Sequence, residues 1–160
     1  MTKRVEGHLS AQGLKIGVVT TRWNEIVTDR LLAGALDCLK MLGANEDHIT
    51  VVRCPGAFEL PVVLKELASS GEYNVLVALG AVIRGETPHF DYVAGEAASG
   101  ISRAAYDTGI PCGFGLLTVN SPEQAMDRAG TKSGNKGWEA AQAAVETATL
   151  LKTIRGQAGT

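Results

Sequence analysis

The chain has no dense run of lysine or arginine, and 15 basic against 17 acidic residues leave a formal net charge of −2. That balance argues against a nucleic-acid surface, which needs clustered positive charge. No apolar stretch is long and uninterrupted enough to span a membrane. The N-terminus, Met-Thr-Lys-Arg-Val-Glu-Gly-His, lacks the apolar core of a secretory signal. Cysteine is scarce. Cys38, Cys54 and Cys112 are odd in number, sit in apolar contexts and show no CxxC spacing. They read as buried free thiols of a reducing compartment, with no metal site. A cytoplasmic chain is expected, or a plastid one for a mature plant form. Motifs of several chemistries are also missing. No GxGxxG follows the first strand and no HExxH occurs, so a dinucleotide fold and a zinc hydrolase have no support. Gly130–Gly137 is rich in glycine, but it lacks phosphate-loop spacing and no strand precedes it. There is no internal repeat and no low-complexity segment.

What remains is one domain of 160 residues, enough to bury a core. Residues 1–13 read as a polar arm in which Val5–Leu9 is at most a short edge strand. Residues 14–156 read as the single domain. Leu14–Thr20, Ile49–Cys54, Val75–Val82 and Cys112–Thr118 have the length and apolar content of strands. Between them, Val27–Leu42, Phe58–Ala68 and Pro88–Asp107 read as helices. Thr28 is the expected cap of the first and Gly43 its stop; Pro61 is tolerable only in the first turn of the second. Pro122–Ala129 reads as a short helix, and Trp138 opens an Ala-rich last helix that runs to about Ile154. Four strands alternating with helices call for a parallel sheet covered on both faces. Ligands of such sheets bind beyond the carboxyl ends of the strands. The residues just past those ends are therefore the candidates: Arg22–Asn24, Gly56–Glu59, Val82–His89 and Val119–Asn120.

The turn after the third strand is the richest of these. Gly80–Asp91 reads Gly-Ala-Val-Ile-Arg-Gly-Glu-Thr-Pro-His-Phe-Asp. Pro88 suits a first helical position, Thr87 its cap and Asp91 its first turn. His89 then lies at the positive end of a helix, where a second positive charge is disfavoured and the ring is free to accept a proton. The same helix start offers N–H groups to an anion. Turns need glycine and proline in any protein, but no turn needs Trp23, Glu59 or His89. Arg128 and Lys136, late in the chain, are either solvated cations or a clamp completing that anion cradle from a neighbouring subunit. His8 and His48 read as surface residues, Trp138 as packing, and Cys54 as a small buried hydrophobe.

Four segments carry a resemblance: Pro55-Gly-Ala-Phe-Glu-Leu-Pro61, Gly80–Tyr92, Pro111-Cys-Gly-Phe-Gly-Leu-Leu-Thr118, and Gln124–Gly130 leading into Gly134–Gly137. Over about Val5–Ile154 the chain resembles the lumazine synthase family. The resemblance implies an α/β fold, three layers with a four-stranded parallel sheet in flavodoxin-like order. It also implies an N-terminal arm strand added to a neighbouring subunit's sheet, which would satisfy a bare edge. The activity implied is the condensation of 5-amino-6-(D-ribitylamino)uracil with 3,4-dihydroxy-2-butanone 4-phosphate, without cofactor or metal. By position, Trp23 stacks on the pyrimidine, where many members have Phe, and Asn24 lies beside it. Gly56, Ala57 and Phe58 border the substrate with backbone groups, and Glu59 takes ribityl hydroxyls. Ala81, Val82 and Ile83 hold the ring edge. Glu86 and Thr87 bind phosphate through N–H groups, Arg128 of an adjoining subunit pairs with it, and His89 moves protons. Phe114 of the neighbour closes the pocket, with Lys136 near its rim.

The same resemblance implies a homopentamer with sites between subunits. Twelve pentamers close into a 60-subunit shell in members whose loop before the last helix is as short as Gly130–Gly137. Riboflavin synthase is a candidate partner; nucleic acid and membrane are not. Two functions of other classes compete. A non-catalytic lumazine- or flavin-binding module would keep Trp23 and Glu59 without needing His89 and Arg128. A purely structural cage would need no phosphate cradle at all.

Overall fold

A computed structural model describes residues 1–156. Four strands form one parallel sheet in the order β2-β1-β3-β4: β1 Ile16–Thr21, β2 Ile49–Cys54, β3 Val75–Ile83 and β4 Cys112–Val119. This is the flavodoxin-like order the resemblance implies. The helices are α1 Glu25–Met41, α2 Leu60–Ser69, α3 His89–Thr108, α4 Pro122–Arg128 and α5 Lys136–Ile154.

Successive strand residues point to opposite faces, so the sheet feeds two cores. Ile16, Val18, Val77 and Leu79 pack with Leu31, Leu39, Ala141 and Val145 of α1 and α5. Val19, Leu76, Ala78 and Leu116 pack with Leu60, Leu64, Ala97 and Ile101 of α2 and α3. Three layers result. Every residue of β1 is buried, as is β3 up to Val82. The outer strands differ: Thr50, Val51 and Arg53 of β2, and Phe114 and Thr118 of β4, are exposed.

Helix starts depart from the local expectations. Thr28 does not cap α1. It is fully buried one turn inside the helix, and its hydroxyl donates to the Thr21 carbonyl at 2.9 Å. The cap residue is Asn24, in the left-handed region with φ 61°, and its side chain makes no capping bond. Likewise Pro88, not Thr87, is the cap residue of α3, which begins at His89. A short 3-10 turn, Ala57–Glu59, precedes α2 where one continuous helix from Phe58 is expected; Pro61 sits in the first turn of α2. Asn135, inside the expected Gly130–Gly137 loop, caps α5, which therefore starts two residues ahead of Trp138.

No strand forms within residues 1–13. Part of the arm is nevertheless fastened to its own chain. The His8 N–H donates to Thr149 Oγ1 at 2.7 Å, and that hydroxyl donates back to the His8 carbonyl at 3.0 Å. Ala11 is fully buried and its N–H donates to the Leu42 carbonyl. No helix among the described residues is long and apolar enough to cross a membrane.

Candidate active site

The carboxyl ends of β1, β2 and β3 open into one cleft of about 720 Å³. Each wall comes from a different connection. The β1–α1 turn supplies Trp23 and Asn24, the β2–α2 turn supplies Ala57, Phe58 and Glu59, and the end of β3 supplies Ala81, Val82 and Ile83. His89, at the start of α3, faces the same space. Trp23 and Phe58 are each 59% exposed, so two aromatic side chains stand open to a ligand.

The backbone that places these groups is held by specific bonds. The Trp23 N–H donates to the Pro55 carbonyl at 2.9 Å, which joins the first two turns. Asn24 Nδ2 donates to the Ala81 carbonyl at 3.0 Å, which joins the first turn to the end of β3. Asparagine is among the few non-glycine residues that tolerate its left-handed backbone. Gly56 does not line the cleft; it lies behind Trp23, and a Cβ there would collide with the six-membered ring of the indole. Cys54, just before it, is buried, and its thiol faces the Gly56 carbonyl at 3.7 Å. Burial, and secondarily the carboxylate of Glu59, push that thiol up to about 11. Cys54 is thus a protonated core residue, not a nucleophile. Burial likewise raises Cys38 and Cys112 to about 11.

Glu86 and Thr87 lie in the exposed turn between β3 and α3. The Thr87 hydroxyl accepts from the His89 N–H at 3.4 Å, a long and weak bond. Phe114, Arg128 and Lys136 are elsewhere. They line a separate cavity of about 370 Å³ beside the outer strand β4, with Thr118, Ser133 and Glu139. Phe114 is 43% exposed there, and Arg128 Nη1 donates to the Gln124 carbonyl at 3.1 Å. One chain therefore carries two groups of candidates. The aromatic, acidic and imidazole groups share one cleft, and the cations with a third aromatic share another.

The cleft also contains residues outside the expected set. Tyr92, Val93 and Glu96 line it from α3, three, four and seven positions after His89. Those offsets define one helix face, so placing His89 in the cleft is enough to place them. Among the described residues, no group of three or more His, Cys, Asp or Glu side chains is arranged to hold a metal ion.

Comparison with known proteins bears on the whole chain. The family model described as 6,7-dimethyl-8-ribityllumazine synthase matches residues 13–152. A 6,7-dimethyl-8-ribityllumazine synthase of Nitratidesulfovibrio vulgaris (strain DSM 19637 / Miyazaki F) is 53% identical over 152 residues, covering 95% of this chain and 97% of that protein. With its parallel sheet in the expected order and a match of this length, the chain belongs to the 6,7-dimethyl-8-ribityllumazine synthase family.

Proposed function

We propose that catalysis takes place across a subunit boundary, with the cleft of one chain completed by the second cavity of its neighbour. The reaction is that of the family. The chain condenses 5-amino-6-(D-ribitylamino)uracil with 3,4-dihydroxy-2-butanone 4-phosphate to 6,7-dimethyl-8-ribityllumazine, phosphate and water, a step of riboflavin biosynthesis.

One observation carries the shared site: neither group of residues within a single chain is sufficient. The cleft of Trp23, Glu59 and His89 has aromatic faces and a carboxylate but no cation to receive phosphate. The cavity of Arg128 and Lys136 has cations but no imidazole. Joined across two chains they supply every group the chemistry needs. Trp23 stacks on the pyrimidine, and Asn24 holds the first turn against the end of β3. Gly56 backs the indole, backbone groups of Ala57, Phe58, Ala81, Val82 and Ile83 fix the ring and chain, and Glu59 accepts ribityl hydroxyls. The exposed N–H groups of Glu86 and Thr87 meet the phosphate of the ketone, the Glu86 carboxylate turning outward. Arg128 of the partner subunit pairs with that phosphate. Phe114 and Lys136 of the partner subunit close the far wall.

His89 then serves imine formation, phosphate elimination and ring closure, each of which moves a proton. No strong catalytic group accompanies it. Holding two reactants in register supplies most of the acceleration. His89→Ala accordingly slows turnover about 10- to 100-fold without abolishing it. Arg128→Ala raises the Michaelis constant for the phosphorylated ketone and leaves that for the aminouracil alone. Steady-state rates with each substrate varied in turn, followed by lumazine fluorescence, measure both. Unchanged use of the ketone by Arg128→Ala, or complete loss in His89→Ala with assembly intact, contradicts these roles.

The same division supports a closed homo-oligomer. The free edge of β2 and the apolar groove of about 500 Å³ between α3 and α5, flanked by exposed Tyr106 and Phe114, are surfaces a partner chain would cover. We assign residues 1–13 to an arm whose start, ahead of its own-chain anchors at His8 and Ala11, reaches the edge of a neighbour's sheet, and residues 14–156 to the catalytic domain. The assembly is a pentamer, and the short loop before α5 favours a 60-subunit shell, with riboflavin synthase, which consumes the product, as its partner. A cytoplasmic or plastid setting suits the protonated thiols.

A further inference from the structure

We propose that Arg84 is a positioning residue for the reaction: it sets the shape of the 85–89 turn without touching either substrate. The proposal rests on the assignment of that turn to the phosphate and to His89. Glu86 and Thr87 must point their N–H groups at the anion while His89 reaches the cleft, yet little else fixes this turn. Among the described residues, its hydrogen bonds between Arg84 and α3 are Asp91 N–H to the Pro88 carbonyl and the long bond between His89 N–H and Thr87. Neither reaches beyond the turn and the first turn of α3.

Arg84 supplies the external hold. Its N–H donates to the Val119 carbonyl at 2.8 Å, which extends the β3–β4 ladder one residue past β3. Its guanidinium then meets three partners. Nε donates to Asn120 Oδ1 at 3.0 Å. Nη1 lies 3.5 Å from Asp91 Oδ1, and Cζ stands 4.3 Å over the ring of Phe90. Each partner is itself anchored. Phe90 is buried in the α2–α3 core, Asp91 is in the first turn of α3, and the Asn120 N–H donates to Gln124 Oε1 at 2.8 Å. The guanidinium thus ties the start of α3, where the turn ends, to the end of β4, which the Arg84 backbone already pairs with the end of β3, where the turn begins. A planar fork that donates on one edge while its face lies on an aromatic ring is a task for arginine; lysine has one donor centre and no plane. The group is partly exposed, so its bonds add little to overall stability and mainly fix geometry.

Kinetics of Arg84→Met, Arg84→Lys, Asn120→Ala and Arg128→Ala, with particle size checked by light scattering, test this. Arg84→Met is expected to lower kcat/KM for the phosphorylated ketone about 10- to 100-fold, the effect of a displacement near 1 Å, with KM for the aminouracil within about twofold of the parent. Arg84→Lys recovers only part of that loss, and Asn120→Ala, which removes one arm of the clamp, gives a smaller loss of the same kind. Rates within about twofold of the parent for Arg84→Met, or a KM raised equally for both substrates, overturn the proposal. Should Arg84→Met fail to assemble, Asn120→Ala decides: a loss confined to the ketone supports the clamp, and parental kinetics refute it. If Arg128→Ala weakens use of the ketone while Arg84→Met does not, the clamp alone is lost. If neither does, the phosphate assignment falls and takes the clamp with it.

Discussion

Trp23 and Gly56 show how a single missing atom shapes the cleft. The backbone of Gly56 is extended, with φ −147° and ψ −175°, so any residue could adopt it. What excludes a side chain is the indole lying against its α carbon. Gly56→Ala must push Trp23 into the cleft, where it stacks on the pyrimidine under the proposed function. An aromatic stack is worth about 0.5–1.5 kcal/mol beyond its area, so KM for the aminouracil should rise roughly 3- to 10-fold while KM for the ketone holds. An unchanged constant with undisturbed tryptophan fluorescence would show that the contact does not matter. From the chain alone Gly56 is indistinguishable from an ordinary turn glycine, because the close approach is made by a residue 33 positions away. Trp23, Glu59 and His89 are legible for the opposite reason: no local conformation calls for them. The contacts of Arg84 are hidden in the same way as that of Gly56, since its partner Asn120 lies 36 positions away in the turn after β4.

Strands were the most legible elements and helix starts the least. β2 matches its expected bounds, and β3 extends one residue beyond them, because a run of apolar residues between turn signals has few alternatives. A helix start is decided by which hydroxyl or amide finds which backbone group, and tertiary partners compete. The hydroxyl of Thr28 has the Thr21 carbonyl to bond, which no local pattern reveals. Asn135 is the clearest case of a start set by a long-range contact. Its Oδ1 accepts from Gly137 N–H at 2.8 Å and Trp138 N–H at 3.1 Å, and its Nδ2 donates to the Arg30 carbonyl at 3.0 Å. One side chain therefore caps α5 and fastens it to α1, where Gly34 and Gly137 let the helices meet closely. Asn135→Ala is expected to cost about 1–2 kcal/mol, read as a lower denaturation midpoint, because it takes the cap from the Gly137 and Trp138 N–H groups and cuts the tie to α1. An unmoved midpoint would mean that the α1–α5 packing needs no such tie.

A whole chain of this shape carries its candidate residues in two separate cavities, each half of a site under the proposed function. Among the described residues, the sheet has two bare edges, at β2 and β4, the cleft is lined by no Lys or Arg, and Arg128 and Lys136 lie in a second cavity. The three-layer fold was legible because alternating strands and helices admit few arrangements. The separation of Trp23, Glu59 and His89 from Arg128 and Lys136 into two cavities was not, since periodicity and spacing do not say which distant loops meet; a clamp from a neighbour was there one of two readings of the late cations, joined by the resemblance. Because His89 and Arg128 are assigned to opposite sides of a boundary, variants of each should complement. Co-expressed in equal amounts, His89→Ala and Arg128→Ala chains would mix at random in a closed ring, and about a quarter of the boundaries would pair an intact His89 with an intact Arg128. Measured at limiting ketone, the mixed particles should show roughly a quarter of parental activity, well above either variant alone. Activity no higher than the average of the two separate variants would place His89 and Arg128 in sites that no boundary joins.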